Sequence, residues 1–261
     1  MTTLSIVLLQ VDISFGNPEK NRKHIENWFE SMNLQPNELV ILPELWDTGY
    51  DLTRLTEIAD AEGANAQKFL TDLAKKYQVY ISGGSIARQT ANQVFNTTYL
   101  VNPKGKVEIS YDKVHLFRLM DEEKYLQAGD HLAQAQIADF LVAPFICYDL
   151  RFPEWFRKSA SQGTELFILS AQWPTPRIVQ WTKLLQARAI ENQCFVAAVN
   201  RVGSDPKNDF GGYSIVVDPL GEILLQLDDR EGFGRISIEQ KQVVETRGLI
   251  PVFEDRRIDL Y

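Results

Sequence analysis

Three positions in this chain place reactive side chains where an apolar run ends. Cys147 closes "FLVAPFIC" (140–147) and is followed by "YDLRFPE". Glu44 ends "ELVILPE" and precedes Leu45 and Trp46, and Lys113 follows "KVEISYD" and precedes "VHLF". A cysteine nucleophile needs a way to become a thiolate, a base for its proton and donors for the oxyanion that forms. A carboxylate among bulky apolar groups can serve as the base. A lysine carried into a pocket would lower the pKa of a nearby thiol and stabilise an oxyanion. Each residue also has an ordinary reading. Cys147 can be a small buried side chain, Glu44 a loop or N-cap carboxylate, and Lys113 a solvated charge with its stem over apolar surface. Cys194, inside "ENQCFVAAV", has no acid or base beside it and reads as structural. The two cysteines form no C-x-x-C, which disfavours a redox pair. Neither His24, His115 nor His131 has a better context for pairing with a thiol than Glu44 and Lys113.

The elements that must position these residues read as alternating strands and helices. Strand-like runs are "LSIVLLQ" (4–10), "ELVILP" (38–43), "VYISGGS" (79–85), "VFNTTYLVN" (94–102), "KVEISYDK" (106–113), "FLVAPFIC" (140–147), "ELFILSA" (165–171), "CFVAAVN" (194–200), "YSIVVDP" (213–219) and "EILLQLD" (222–228). Several are almost continuously apolar, as strands covered on both faces should be. Between them lie helical stripes: Ile25, Trp28, Phe29 and Met32 after an Asn17 N-cap and Pro18; Phe69, Leu70, Leu73 and Tyr77; Ile178, Trp181, Leu184 and Leu185. These stripes predict core packing. "PEWFRKSASQG" predicts a helix after Cys147, with Pro153 near its first turn. "NPKGK" (102–106) and "DPLGE" (218–222) read as hairpin turns. The mixture of βαβ units and hairpins predicts one domain, residues 1–261, with a mixed sheet or two packed sheets.

Composition narrows the class. The chain has 261 residues, 44% hydrophobic and 24% charged, with a net charge of -8, which disfavours nucleic-acid and anionic-membrane surfaces. The N-terminus reads as a first strand rather than a signal peptide, and no window reaches membrane-spanning length. Two cysteines do not make a disulfide framework, so a cytoplasmic location is expected. The scattered histidines predict no metal site.

Taken in order, "LPELWDTGY", "YDKVHLF" and "ICYDLRFPE" resemble the nitrilase superfamily of carbon–nitrogen hydrolases over nearly the whole length. "LQAGD", "LLQARAIENQCFVAAVNRVG" and "GGYSIVVDPLGEIL" support the resemblance, and "SAQWPTPRIVQWTKLLQARAIENQ" with "VNRVGSD" looks most like the bacterial ω-amidase-like branch. That branch acts on amides of short dicarboxylic 2-oxo acids. The resemblance implies an α/β fold, a four-layer α-β-β-α sandwich with two mixed sheets. It also implies association as a homodimer or higher homo-oligomer. It implies a catalytic set of Glu44, Lys113 and Cys147, with a further glutamate in "MDEEKYLQAGD" that falls on Glu122 or its neighbour Glu123. The expected reaction is hydrolysis of a small carboxylate-bearing amide through a thioester, with no cofactor. Glu44 would be the base, and Lys113 with the Tyr148 N–H would hold the oxyanion. Arg151, Arg177 and Arg118 are candidate carboxylate anchors, and Trp173 and Phe117 candidate pocket walls. Deaminated glutathione, carbamoyl amines and aliphatic amides are alternative substrates, and a non-catalytic homologue is a rival of another class.

Overall fold

The structure, a computed structural model, describes residues 3–260. The first half of the chain supplies β1 (Thr3–Gln10), β2 (Leu39–Ile41), β3 (Asp60–Ala61), β4 (Tyr80–Ser82), β5 (Ile86–Thr90), β6 (Gln93–Val101) and β7 (Val107–Asp112). The second half supplies β8 (Ala135–Ile137), β9 (Phe140–Ile146), β10 (Leu166–Ala171), β11 (Phe195–Asn200), β12 (Val202–Ser204), β13 (Asp209–Gly211), β14 (Ile215–Val217), β15 (Ile223–Gln226) and β16 (Gly232–Glu239). The helices are α1 (Pro18–Ser31), α2 (Leu55–Ile58), α3 (Ala64–Tyr77), α4 (Glu122–Tyr125), α5 (Pro153–Ala160), α6 (Ile178–Asn192) and α7 (Lys241–Leu249).

Two large mixed sheets result. One runs β16-β1-β2-β4-β6-β5-β3, with β7 also on β6, and the other runs β15-β14-β11-β10-β9-β8. Pairs of opposite sense sit side by side in each: β1 with β2 and β9 with β10 are parallel, whereas β1 with β16 and β11 with β14 are antiparallel. Strand alternation explains the layering. Leu4, Ile6 and Leu8 of β1 join a core with Val142, Ile168 and Phe195 of the second sheet. Val7 and Leu9 face the other way, against Phe29 of α1 and Leu70 of α3. Phe156 of α5 and Trp181 and Leu185 of α6 cover the far side of the second sheet. The arrangement is helices, sheet, sheet, helices.

The local signals act as their chemistry requires. Asn17 Oδ1 accepts the Lys20 N–H at 3.1 Å, capping α1 ahead of Pro18. "NPKGK" turns β6 into β7 and "DPLGE" turns β14 into β15. Two glycines permit close approach beside the candidate site. Gly84, with φ of +61°, lies where a Cβ would overlap the Pro43 carbonyl, and a Cβ on Gly129 would overlap the Asp112 carbonyl. The Glu44 segment is clamped from this side. The Leu45 N–H donates to Ser85 Oγ at 2.9 Å, the Trp46 N–H to the Ser85 carbonyl at 3.0 Å, and Trp46 Nε1–H to the Gly83 carbonyl at 2.7 Å.

The same segment buries Asp47. Its Oδ1 accepts the Thr48 N–H at 2.8 Å. Burial pushes its pKa up to about 7, against the pull of the Thr48 and Ala87 N–H groups. In the unfolded chain the group titrates near an ordinary aspartate. Between the two values the folded state therefore holds a proton that the unfolded state has lost. Stability should fall as pH rises through this window, by about 1.4 kcal/mol per unit from this one group. Asp47→Asn should flatten that slope and raise the unfolding free energy at pH 8 relative to the parent. Denaturant titrations at pH 5, 6, 7 and 8 measure it, and equal slopes for parent and variant would refute it.

Candidate active site

Glu44, Lys113, Glu122 and Cys147 are brought together from four separated segments at one end of the two sheets, and all are buried. Glu44 follows β2, Lys113 follows β7, Glu122 opens α4 and Cys147 follows β9. Lys113 Nζ donates to Glu44 Oε1 at 2.8 Å and to Glu122 Oε1 at 2.7 Å. Glu122 is the glutamate in the cluster, since Glu123 is exposed. The Phe117 N–H donates to Glu122 Oε2 at 2.7 Å and fixes that carboxylate from behind.

Three polar residues complete the cluster, none of which the sequence reading identified. The Tyr50 hydroxyl bridges Glu122 Oε1 at 2.6 Å and Glu44 Oε1 at 3.1 Å. Asn96 Nδ2 donates to Glu44 Oε1 at 2.8 Å. Gln172 reaches Glu44 twice, through its N–H to Oε2 at 2.9 Å and through Nε2 to the Glu44 carbonyl at 2.8 Å. Gln172 Oε1 is itself held at 3.0 Å by Arg201, a guanidinium without exposure. No local signal marks them: Asn96 sits among the polar residues of β6, Gln172 just past β10, and Tyr50 in the turns after Glu44.

The electrostatics follow from this packing. Burial works against the Lys113 charge, but Glu122 and Glu44 outweigh it and hold its pKa above the ordinary lysine value. Burial and the Glu44 charge push Glu122 up, opposed by Lys113. The Cys147 thiol is pushed well above its usual value, by burial first and Glu44 next, although Lys113 pulls the other way. The expected downward pull of Lys113 on the thiol is present, but burial and Glu44 outweigh it. The resting sulfur carries its proton, so a reaction at this thiol would need a base to take it.

Glu44 is placed where it could take that proton. Its Oε1 accepts from Lys113, Tyr50 and Asn96, whereas Oε2 accepts the Gln172 N–H. Oε2 is thus the oxygen with capacity left for a proton. Lys113 has three N–H donors, two of them spent on carboxylates, which leaves one for an oxyanion. Cys147 sits at φ +45°, a left-handed conformation costing a non-glycine residue roughly 1–2 kcal/mol. This sharp turn separates the end of β9 from the short helical turn Cys147–Arg151 that leads to α5.

A small cleft opens at Cys147. Phe117, Tyr148, Arg151, Trp173 and Arg177, all singled out from sequence, line it, together with Gln172 and Pro174. The Arg151 guanidinium lies 5.0 Å from the Trp173 ring centroid and donates to Gln180 Oε1 at 2.7 Å. Arg177 lies over the Phe117 ring at 5.6 Å. Arg118 is exposed and outside the cleft. Cys194 is buried away from it, with Sγ at 3.0 Å from the Thr164 and Asn192 carbonyls. Among the described residues, no group of three or more His, Cys, Asp or Glu side chains is placed to hold a metal ion, and no helix is long and apolar enough to cross a membrane.

The chain is 46% identical to 2-oxoglutaramate amidase of Bacillus subtilis, over 98% of this chain and 99% of that protein. It is 34% identical to an omega-amidase of Yersinia enterocolitica, over 98% and 97% respectively. The fold superposes with a TM-score of 0.92 on a CN-hydrolase superfamily protein of Xanthomonas campestris that carries an arsenic adduct in its active site, at 32% identity and 98% coverage of both chains. Residues 6–247 match the carbon-nitrogen hydrolase family. A buried Glu–Lys–Glu cluster beside a strained cysteine, on two mixed sheets, is thus found in a chain that belongs to the carbon–nitrogen hydrolase family, on its ω-amidase-like side.

Proposed function

We propose that the chain hydrolyses the ω-amide of a short 2-oxo dicarboxylic acid, of the 2-oxoglutaramate or 2-oxosuccinamate type, through a Cys147 thioester. The observation that carries this reading is the cleft in which two arginines flank Cys147 beside the Glu44–Lys113–Glu122 cluster. The name of the Bacillus subtilis relative supports the substrate class.

In this scheme Glu44 Oε2 takes the Cys147 proton as sulfur attacks the amide carbonyl. The developing oxyanion meets the third N–H of Lys113 and the backbone N–H of Tyr148. Losing one such donor costs roughly 10²–10³ in turnover. Collapse breaks the C–N bond, and Glu44 returns the proton to the departing nitrogen, giving ammonia and a thioester. Water, deprotonated by Glu44, then cleaves the thioester to the acid and restores the thiol. Glu122 and Tyr50 keep Lys113 and Glu44 in register throughout.

Arg177 is the stronger candidate for the distal carboxylate. Its guanidinium faces an aromatic ring in the cleft, with no ion-pair partner among the described residues, while Arg151 is already held by Gln180. A charge-assisted bond contributes about 1.5–3 kcal/mol. Arg177→Met should therefore raise KM for 2-oxoglutaramate by roughly 10- to 150-fold and leave a neutral aliphatic amide unaffected. Arg151→Met should have the smaller effect of the two, and Arg118→Met none. An ammonia-release screen over 2-oxo acid ω-amides, deaminated glutathione, carbamoyl amines and aliphatic amides tests the function itself. Best turnover on a substrate without a carboxylate would overturn the assignment, as would an unchanged KM in all three variants.

A further inference from the structure

One charged residue next to the nucleophile has no part in the scheme above. Asp149 is fully buried two positions after Cys147. Its Oδ2 accepts the Tyr111 hydroxyl at 2.7 Å and the Ile146 N–H at 3.0 Å. Its Oδ1 accepts the His115 N–H at 3.1 Å and contacts His115 Nδ1 at 2.7 Å. A carboxylate oxygen in this setting accepts, so the Nδ1 position carries a proton. The ring is fixed by stacking on Phe152, with centroids 3.7 Å apart and planes within 10°. Trp155 Nε1 donates to the Tyr111 oxygen at 3.1 Å, which turns the hydroxyl proton toward Asp149.

The placement of these donors is the informative part. Tyr111 and His115 stand on either side of Lys113, and Ile146 immediately precedes Cys147. β8 pairs with β9 only from Phe140 to Val142, so the Ile146 N–H lies beyond the end of that ladder. The Asp149 carboxylate takes the Ile146 N–H at the entry to the strained turn. One carboxylate thereby braces the segment carrying the nucleophile against the segment carrying the lysine.

We propose that Asp149, oriented by His115, is a positioning residue that fixes Cys147 relative to Lys113. This rests on the catalytic reading given above. A carboxylate with four donors cannot be replaced by an amide without turning a donor toward a donor. Displacing the turn by a fraction of an ångström should reduce attack much more than binding, since misplacement of about 1 Å can cost 10²-fold.

The experiment compares Asp149→Asn, His115→Leu and His115→Asn with the parent enzyme, the last retaining a side-chain N–H donor. The readouts are kcat and KM for the best amide, the iodoacetamide alkylation rate of Cys147, and thermal unfolding. Asp149→Asn should lower kcat by roughly 10²-fold, with KM within about threefold of the parent. Cys147 alkylation should slow with it. His115→Leu should lower kcat by about tenfold, and His115→Asn should recover most of that loss. Unchanged kcat per folded molecule in Asp149→Asn, or in His115→Leu if the first variant does not fold, would overturn the proposal. Equal kcat for His115→Leu and His115→Asn would also overturn it. Failure of the catalytic reading shows elsewhere, as ammonia release by the parent enzyme that survives complete alkylation of Cys147.

Discussion

Cys147→Ala is expected to lower kcat/KM for ammonia release by at least roughly 10⁴-fold, since removal of a covalent nucleophile leaves only binding and oxyanion stabilisation. The fold should survive. Alanine keeps the Cβ, meets the same steric limits at φ +45°, and loses one buried heavy atom, a change worth on the order of 1 kcal/mol. Labelling makes the test specific. The Cys147 thiol opens on the cleft and has Glu44 beside it as proton acceptor. The Cys194 pKa is pushed up to about 12 by burial, and its sulfur is held against two carbonyls. Iodoacetamide at neutral pH should therefore modify Cys147 first and inactivate the parent in step, while Cys147→Ala shows no fast-reacting thiol. A folded Cys147→Ala protein that still releases ammonia at parental rates would exclude the thioester route.

The strands that carry this site were legible because burial on both sheet faces leaves an unmistakable trace. β9 is apolar throughout, β10 and β11 are apolar but for Ser170 and Asn200, and all three read as strands from composition alone. β16 was not, because its "GFGRISIE" alternates glycine and charge with apolar residues and gains its partner only when β1 is already in place, antiparallel along its whole length. β5, "IARQT", is likewise half polar, and β3, β12 and β13 are too short to show a period. The four-layer arrangement came from family resemblance, not from periodicity. For the site, strand ends flagged Glu44, Lys113 and Cys147, since a charge or thiol at the end of an apolar run is locally visible. Tyr50, Asn96, Gln172 and Asp149 act through partners distant in sequence, and nothing in their own neighbourhoods distinguishes them from turn or strand residues. The direction of the Cys147 shift was likewise beyond a local reading, because it depends on Glu44 lying beside the sulfur as well as Lys113.

Glu44→Gln separates proton transfer from architecture. Glutamine can keep Oε1 as the acceptor for Lys113, Tyr50 and Asn96. Its amide nitrogen then replaces Oε2, the oxygen with capacity to receive the thiol proton, and turns a donor toward the Gln172 N–H. One mismatched buried contact costs about 1–3 kcal/mol. Removing one of two carboxylates crowded on Lys113 relieves like-charge repulsion that burial makes costly, and Glu122 still pairs the ammonium at 2.7 Å. The two effects oppose each other, so the thermal midpoint should move by only a few degrees. Turnover should nevertheless fall by roughly 10³- to 10⁴-fold, because the high-pKa thiol loses its proton acceptor, and the departing nitrogen loses its donor. The residual rate should rise with pH as hydroxide takes over deprotonation, so the loss relative to the parent is greatest at neutral pH. Turnover in Glu44→Gln within tenfold of the parent, measured on a folded protein, would mean that another group removes the Cys147 proton. Lys113→Met adds the converse control. It leaves Glu44 and Glu122 adjacent without their cation, and should destabilise the fold by about 3–5 kcal/mol as well as impair turnover. A catalytic defect without a stability defect is therefore the signature expected of Glu44→Gln and not of Lys113→Met.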